Sequence, residues 1–160
     1  MKTSEPTQEH RWLGRLVGNW QWSHDVPDTG DTKVTHLVGR EVYRAIGAFW
    51  VQGESVGPTP DGGMAVSQTT LTWDPEKGRF AGSWIGSVMP MLWVYDGELD
   101  AAKQTLALYS EGPAMDGSGR RVPYRDVLRF VDDNTRTLTG STRDADGTWR
   151  EFMTVEYTRV

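Results

Sequence analysis

The sequence predicts an all-β protein, an antiparallel meander of about ten strands closed into a barrel, behind one short N-terminal helix. Three observations carry this reading. Eight tryptophans stand in 160 residues, at Trp12, Trp20, Trp22, Trp50, Trp73, Trp84, Trp93 and Trp149, and all but Trp12 fall in short segments of strand character. Large rings on half-buried pleats supply the bulky lining that a small barrel needs. Only one stretch has helical spacing. The other apolar segments are short and punctuated by turn residues, and closure is how such a sheet removes its edges.

The helix is expected between Pro6 and Val17, where Trp12, Leu13, Leu16 and Val17 make one apolar stripe. Glu5 and Glu9 lie near its start and Arg15 near its end, with Gly18 as a stop. Strands are expected at Asn19–His24, Val34–Ala45, Phe49–Val56, Ala65–Trp73 and Arg79–Ile85. They continue at Leu92–Leu99, Gln104–Glu111, Tyr124–Val131, Thr137–Arg143 and Trp149–Arg159. Asp74-Pro75-Glu76-Lys77-Gly78, Asp132-Asp133-Asn134 and Asp144-Ala145-Asp146-Gly147 read as hairpin turns. Asp28-Thr29-Gly30-Asp31 and Pro58-Thr59-Pro60-Asp61-Gly62-Gly63 read as longer loops. No linker or repeat divides the chain, so residues 1–160 form one domain, with 1–18 as its N-terminal segment.

Composition narrows the function. With 17 basic and 22 acidic side chains the net charge is −5, which disfavours a nucleic-acid partner. The absence of cysteine excludes a thiol nucleophile, a thiolate metal site and a disulfide scaffold. Met1-Lys2-Thr3-Ser4-Glu5-Pro6 has no apolar run behind its lysine, and no window approaches the ~18 apolar residues of a membrane-spanning helix. A cytoplasmic protein is the expectation.

Several segments match a family pattern. Gly18-Asn19-Trp20 after a short helix resembles the Gly-x-Trp that opens the first strand of lipocalins and other calycins. The resemblance implies that Trp20 packs across a barrel end with a late Arg, here Arg159, lying on it. A longer set includes His10-Arg11-Trp12-Leu13, Trp73-Asp74-Pro75, Gly78-Arg79-Phe80 and Ser83-Trp84-Ile85. It continues through Leu92-Trp93-Val94-Tyr95-Asp96-Gly97, Ser110-Glu111-Gly112-Pro113 and Tyr124-Arg125-Asp126-Val127. Together these resemble domain-of-unknown-function family 1579, bacterial proteins with a calycin-like (lipocalin-like) barrel. The resemblance implies the fold and brings no activity with it.

Strand parity suggests which side chains point inward. Trp93, Tyr95, Gly97 and Leu99 share a face, as do Phe80, Gly82 and Trp84. Trp84, Trp93 and Tyr95 then meet, as an aromatic wall for a flat or apolar ligand or as a plain aromatic core. Gly86-Ser87-Val88-Met89-Pro90-Met91 reads as an adaptable apolar loop, either a lid or packed on the wall. Glu111 and Arg125 flank the Gly112–Pro123 loop within reach of pairing, as a polar anchor or a structural pair. Parity leaves both strands open. The more apolar face of Tyr124–Val131 carries Tyr124, Asp126, Leu128 and Phe130 and turns Arg125 outward, while Leu106 and Leu108 oppose Tyr109 and Glu111.

The three histidines are His10, His24 and His36. His36 shares a face with Val34, Val38 and Val42 and has an inward position open to it, but a surface or core role outweighs a haem ligand. The haem-binding calycins place their ligand on a late strand, where this chain has no histidine. Asp144-Ala145-Asp146-Gly147 opens like a calcium loop, yet Val155 stands where the bidentate Glu belongs. No phosphate loop, nucleophile elbow or His-Glu-x-x-His occurs.

The leading expectation is a non-catalytic site for a small apolar or amphipathic molecule in the lumen. Its candidate contacts are Trp84, Met89, Trp93, Tyr95, Tyr109, Glu111, Tyr124 and Arg125, with no metal and no cofactor. Two alternatives remain. One is a lyase-, isomerase- or cyclase-type enzyme using Glu111 or Asp126 with Arg125, as calycin barrels host such chemistry. The other is an interaction module, such as a homodimer.

Overall fold

The computed structural model describes residues 4–28, 30 and 32–160. Thr29 and Asp31 of the first expected loop lie outside them. A short helix, α1 (Gln8–Leu13), runs into a 3-10 turn (Gly14–Leu16). Ten strands follow: β1 (Gly18–Pro27), β2 (Val34–Ile46), β3 (Trp50–Pro58), β4 (Met64–Asp74) and β5 (Arg79–Gly86), then β6 (Met89–Asp100), β7 (Thr105–Pro113), β8 (Arg121–Asp132), β9 (Thr135–Arg143) and β10 (Trp149–Arg159). Each strand pairs antiparallel with its sequence neighbours, and β1 pairs with β10 to close the barrel. The all-β prediction holds.

The hairpins form where the turn chemistry is. Asp74 Oδ1 accepts the Glu76 amide at 3.0 Å, and Gly78 supplies the left-handed residue at φ 63° before β5 begins. Asp132 Oδ1 accepts the Asn134 amide at 2.8 Å in the two-residue β8–β9 turn. The expected Gly86–Met91 loop contracts to Ser87-Val88. Ser87 donates its amide to Val66 O at 2.8 Å, which ties the turn to β4. A register shift between Trp84 and Gly86 absorbs the strand residues around Pro90, which cannot donate to a ladder.

One end of the barrel is sealed. Leu13 and Leu16 are fully buried beneath it, and Trp12 meets Phe130 edge-on at 5.3 Å. His10 links the helix to the sheet. Its Nδ1 accepts the Thr7 amide at 3.0 Å, so Nε2 carries the proton and donates to Trp73 O at 3.1 Å. Buried Trp20 donates Nε1 to Leu16 O at 2.7 Å. Arg159 lies 4.2 Å over the Trp20 ring and donates to Val17 O and Arg15 O, each at 2.8 Å. This is the Trp–Arg closure that the family resemblance implies. Gly18 is required beside it, because its φ is 132° and a Cβ would sit 2.6 Å from Arg159 Nη1.

Arg159→Ala removes the stacking contact and leaves carbonyls without their donor. The expected cost is about 1–3 kcal/mol, read as a lowered urea midpoint with an unchanged m-value. An unchanged midpoint would show that the helix alone closes this end.

Candidate functional site

The other end opens into a cavity of about 570 Å³ that runs down the barrel axis. Its emptiness has a local cause. Aromatic rings lie flat to the wall over inward-facing glycines instead of crossing the lumen. Trp93 covers Gly112, Trp84 covers Gly86 and Tyr43 covers Gly53, each close enough that a Cβ would clash with the ring. Trp22 occupies a pit formed by Gly39 and Gly57. Every one of these rings spends its bulk on a missing side chain.

The mouth is apolar. Trp93 donates Nε1 to Met89 Sδ at 3.0 Å and meets Tyr124 edge-on at 5.0 Å. Tyr124 is pinned by its hydroxyl, which donates to Pro113 O at 2.5 Å. Met91, Met115 and Phe152 complete the rim. Methionine and aromatic side chains together form a polarizable surface that adapts to the shape of a guest.

Halfway down, Tyr95 on β6 reaches across β7 and donates its hydroxyl to Asp126 Oδ2 on β8 at 2.6 Å. Burial pushes the Asp126 carboxyl above the usual carboxylate range, and the Tyr95 hydrogen bond pulls it partly back. Burial and the neighbouring carboxylate push the Tyr95 phenol up, so it remains a donor. Among the described residues Asp126 has no other hydrogen-bond partner and no cation in ion-pair reach.

The floor is a buried ion pair. Arg136 on β9 extends over Tyr157, at 3.7 Å, and over Trp20, at 4.6 Å, to donate Nη2 to Glu41 Oε1 on β2. Glu41 and Arg136 are 7% and 2% exposed, so neither charge is shared with bulk water. Burial raises the Glu41 carboxyl while Arg136 opposes the shift. Tyr43 and Tyr157 are likewise pushed up by burial.

Of the residues expected at a site, Trp84, Met89, Trp93, Tyr95 and Tyr124 line this cavity. Tyr109, Glu111 and Arg125 do not; they stand on the outer wall. On β7 the buried residues are Leu106, Leu108 and Gly112, which turns Tyr109 and Glu111 outward. On β8 Tyr124, Leu128 and Phe130 are buried and Arg125 faces away. Glu111 lies opposite Pro123, and its partner is Arg121 at 3.3 Å. Tyr109 donates to Glu98 at 3.2 Å, and Arg125 covers the Trp149 ring at 4.6 Å. The face of β2 shared by His36, Val34 and Val38 is also external, with His36 Nδ1 2.6 Å from Asp25.

Glu41 and Arg136 escaped the sequence reading. On β2 the more apolar face, with Val34, Val38 and Val42, is the outer one, and Arg136 fell outside the expected strand. The available signal was the alternation Leu37, Gly39, Glu41, Tyr43, a mix of large and small residues that suits a barrel interior. Among the described residues no cluster of three His, Asp or Glu side chains is placed to hold a metal ion. Among the described residues no helix is long and apolar enough to cross a membrane.

The family model described as a protein of unknown function, DUF1579, matches residues 5–159. This chain belongs to that family. No curated protein matches the sequence. Among solved structures, the S-type phycobiliprotein lyase CPES from Guillardia theta aligns over 97% of this chain and 98% of its own, with 13% identity and a TM-score of 0.60. A barrel bound to DFHBI covers 96% of this chain and 100% of its own at 10% identity, with a TM-score of 0.49. A redesigned β-barrel covers 94% and 96% at 13% identity, with a TM-score of 0.47. The similarity to the lyase shows that this family member shares its fold.

Two outcomes test the polar groups. Arg136→Met leaves Glu41 buried without its counter-ion and is expected to cost about 3–5 kcal/mol in urea unfolding. Adding Glu41→Leu should recover most of that loss. Asp126 binds its proton more tightly folded than unfolded, so its contribution to stability is complete below the unfolded pKa. That contribution is lost as pH rises through the folded value. Asp126→Asn should therefore raise Tm at neutral pH, with the gain vanishing near ~pH 4. A gain of equal size at both pH values would contradict the assigned burial.

Proposed function

We propose that this DUF1579 barrel binds a small, largely apolar molecule in its lumen. The observation that carries the reading is the open cavity of about 570 Å³, walled by aromatic rings and methionines with few polar groups. That volume lies within the ~300–1,000 Å³ usual for small-molecule sites, as does the mix of apolar wall and sparse polar anchors. Trp84, Met89, Trp93 and Tyr124 contact the body of the ligand, and Tyr95 with Asp126 contacts its polar group. The phycobiliprotein lyase shares the fold alone at 13% identity, and neither it nor the DFHBI-bound barrel carries the reading. The cavity supports the reading for this chain without them.

Acid–base catalysis in the lumen is the second reading, favoured by the raised carboxyl of Asp126 in a largely apolar cavity. Glu111 and Arg125 take no part in it from the outer wall. Exposed Val66, Ile85, Leu92 and Val94 on β4, β5 and β6 support a homodimer surface, and a strict monomer in sedimentation would remove that role.

Native and denaturing mass spectrometry of freshly purified protein should differ by a small, reproducible mass released on unfolding. Nile red, a neutral apolar dye, supplies the second readout. Trp93→Ala should weaken its binding by about tenfold or more while the barrel stays folded. Leu138→Trp, placed to fill the lumen, should abolish it. Full dye affinity in a folded Leu138→Trp variant would move binding to the outer surface.

A further inference from the structure

The charges that line the cavity do not balance. Among the described lining residues they are Glu41, Asp126 and Arg136, two carboxylates against one guanidinium. Arg136 is committed to Glu41 at the floor. Asp126 therefore stands alone, and Arg125, next to it in sequence, is held outside the barrel against Trp149. Tyr95 occupies one carboxyl oxygen at 2.6 Å and fixes the group in place. The other oxygen has no hydrogen-bond partner among the described residues.

The surroundings select one charge sign. Trp84, Trp93 and Tyr124 present π systems toward the cavity, and Met89 and Met91 add polarizable sulfur. All of these attract a cation, whereas an anion would find only neutral donors, such as the Trp84 indole and the Ser55, Ser67 and Ser110 hydroxyls. An entering carboxylate would meet Asp126 with no positive group free to mediate. A protonated amine would meet its carboxylate counter-ion in a cavity of low polarity, where such a contact is strongest. Asp126 and Tyr95 each sit two residues deeper than Tyr124 and Trp93, or roughly 7 Å down the strand. An amine at that depth leaves its apolar body at the level of the aromatic rim.

We propose that the lumen selects a cationic amphiphile, a primary or secondary amine on an apolar body, with Asp126 as the counter-ion and Tyr95 orienting it. This rests on the lumen-binding reading above and names the chemical class of its ligand. The other titratable groups in the lumen are Tyr43, Tyr95, Tyr124 and Tyr157 and the Glu41–Arg136 pair. The four phenols are all pushed upward and stay neutral around physiological pH. Glu41 is the remaining acid, and removing Asp126 separates its effect.

The test is calorimetric titration with octylamine, octanol and octanoate, which share one chain and differ in head group. At neutral pH the native protein should bind octylamine about tenfold or more tightly than octanol, with octanoate weaker still. Asp126→Asn should abolish the preference, bringing octylamine to the affinity that octanol shows in the same variant. Equal affinity for octanol and octylamine, or an amine preference that survives Asp126→Asn, overturns the amine assignment and leaves lumen binding standing. Failure of all three to bind the native protein overturns the lumen reading and this one with it. Should Asp126→Asn fail to fold, the native protein suffices. Octylamine affinity should fall on acidification through the Asp126 titration while octanol affinity stays flat, and parallel profiles overturn the assignment.

Discussion

The closed end of this barrel depends on one indole. Trp20 is wholly buried, donates to Leu16 O, and carries two guanidinium groups over its ring, Arg159 at 4.2 Å and Arg136 at 4.6 Å. The two arginines do different jobs from the same platform. Arg159 reaches down to the backbone of residues 15 and 17 and fastens the helix-to-strand junction. Arg136 reaches across to Glu41 and forms the floor of the cavity. Sealing this end and flooring the cavity are therefore consequences of a single packing arrangement. A barrel with ten strands needs such a plug, since its circumference is wider than its own side chains fill when they lie against the wall.

The second constraint is the pairing of inward aromatics with inward glycines. A ring over a glycine gains wall contact without projecting into the axis, and it leaves the volume beside it empty. Gly39 and Gly57 accept Trp22, and Gly112 accepts Trp93. Tryptophan content alone cannot distinguish a filled core from an open lumen, because both use the same residue types. The positions of the glycines opposite decide it. Substituting a β-carbon at Gly112 displaces the Trp93 ring, so these glycines control cavity shape as much as the aromatics do.

The overall fold was legible because its signals are local. Gly18-Asn19-Trp20, the Asp-rich turns and the alternation on β6 each specify geometry within a few residues. Trp84, Trp93 and Tyr95 were legible for the same reason. Tyr109, Glu111 and Arg125 were not, and the physics of a ligand-sized barrel explains why. Parity assigns faces reliably only when one face is apolar and the other polar. Here the lumen holds Glu41, Asp126 and Arg136, while the outer wall displays Val34, Val38, Leu92 and Val94. The contrast is blurred on both sides. Glu41 and Arg136 are 95 residues apart and meet only because β1 and β10 lie between their strands, a relation no local pattern encodes.

The lumen is graded in polarity by depth: apolar and polarizable at the mouth, one carboxyl without a cation at mid-height, and a buried ion pair at the bottom. The charges of that pair compensate each other, so a charged guest gains little there unless it displaces Glu41 from Arg136. The floor thus contributes shape, and among the described lining residues the mid-height carboxyl is the charged group without a counter-ion. Keeping that group there costs the empty barrel stability, as its upward-shifted carboxyl indicates. A stabler barrel is within easy reach by replacing Asp126 with an apolar residue of similar size. That this chain carries the carboxylate instead, braced by a tyrosine whose hydroxyl has no other acceptor among the described residues, is the observation on which the proposed amine anchor rests.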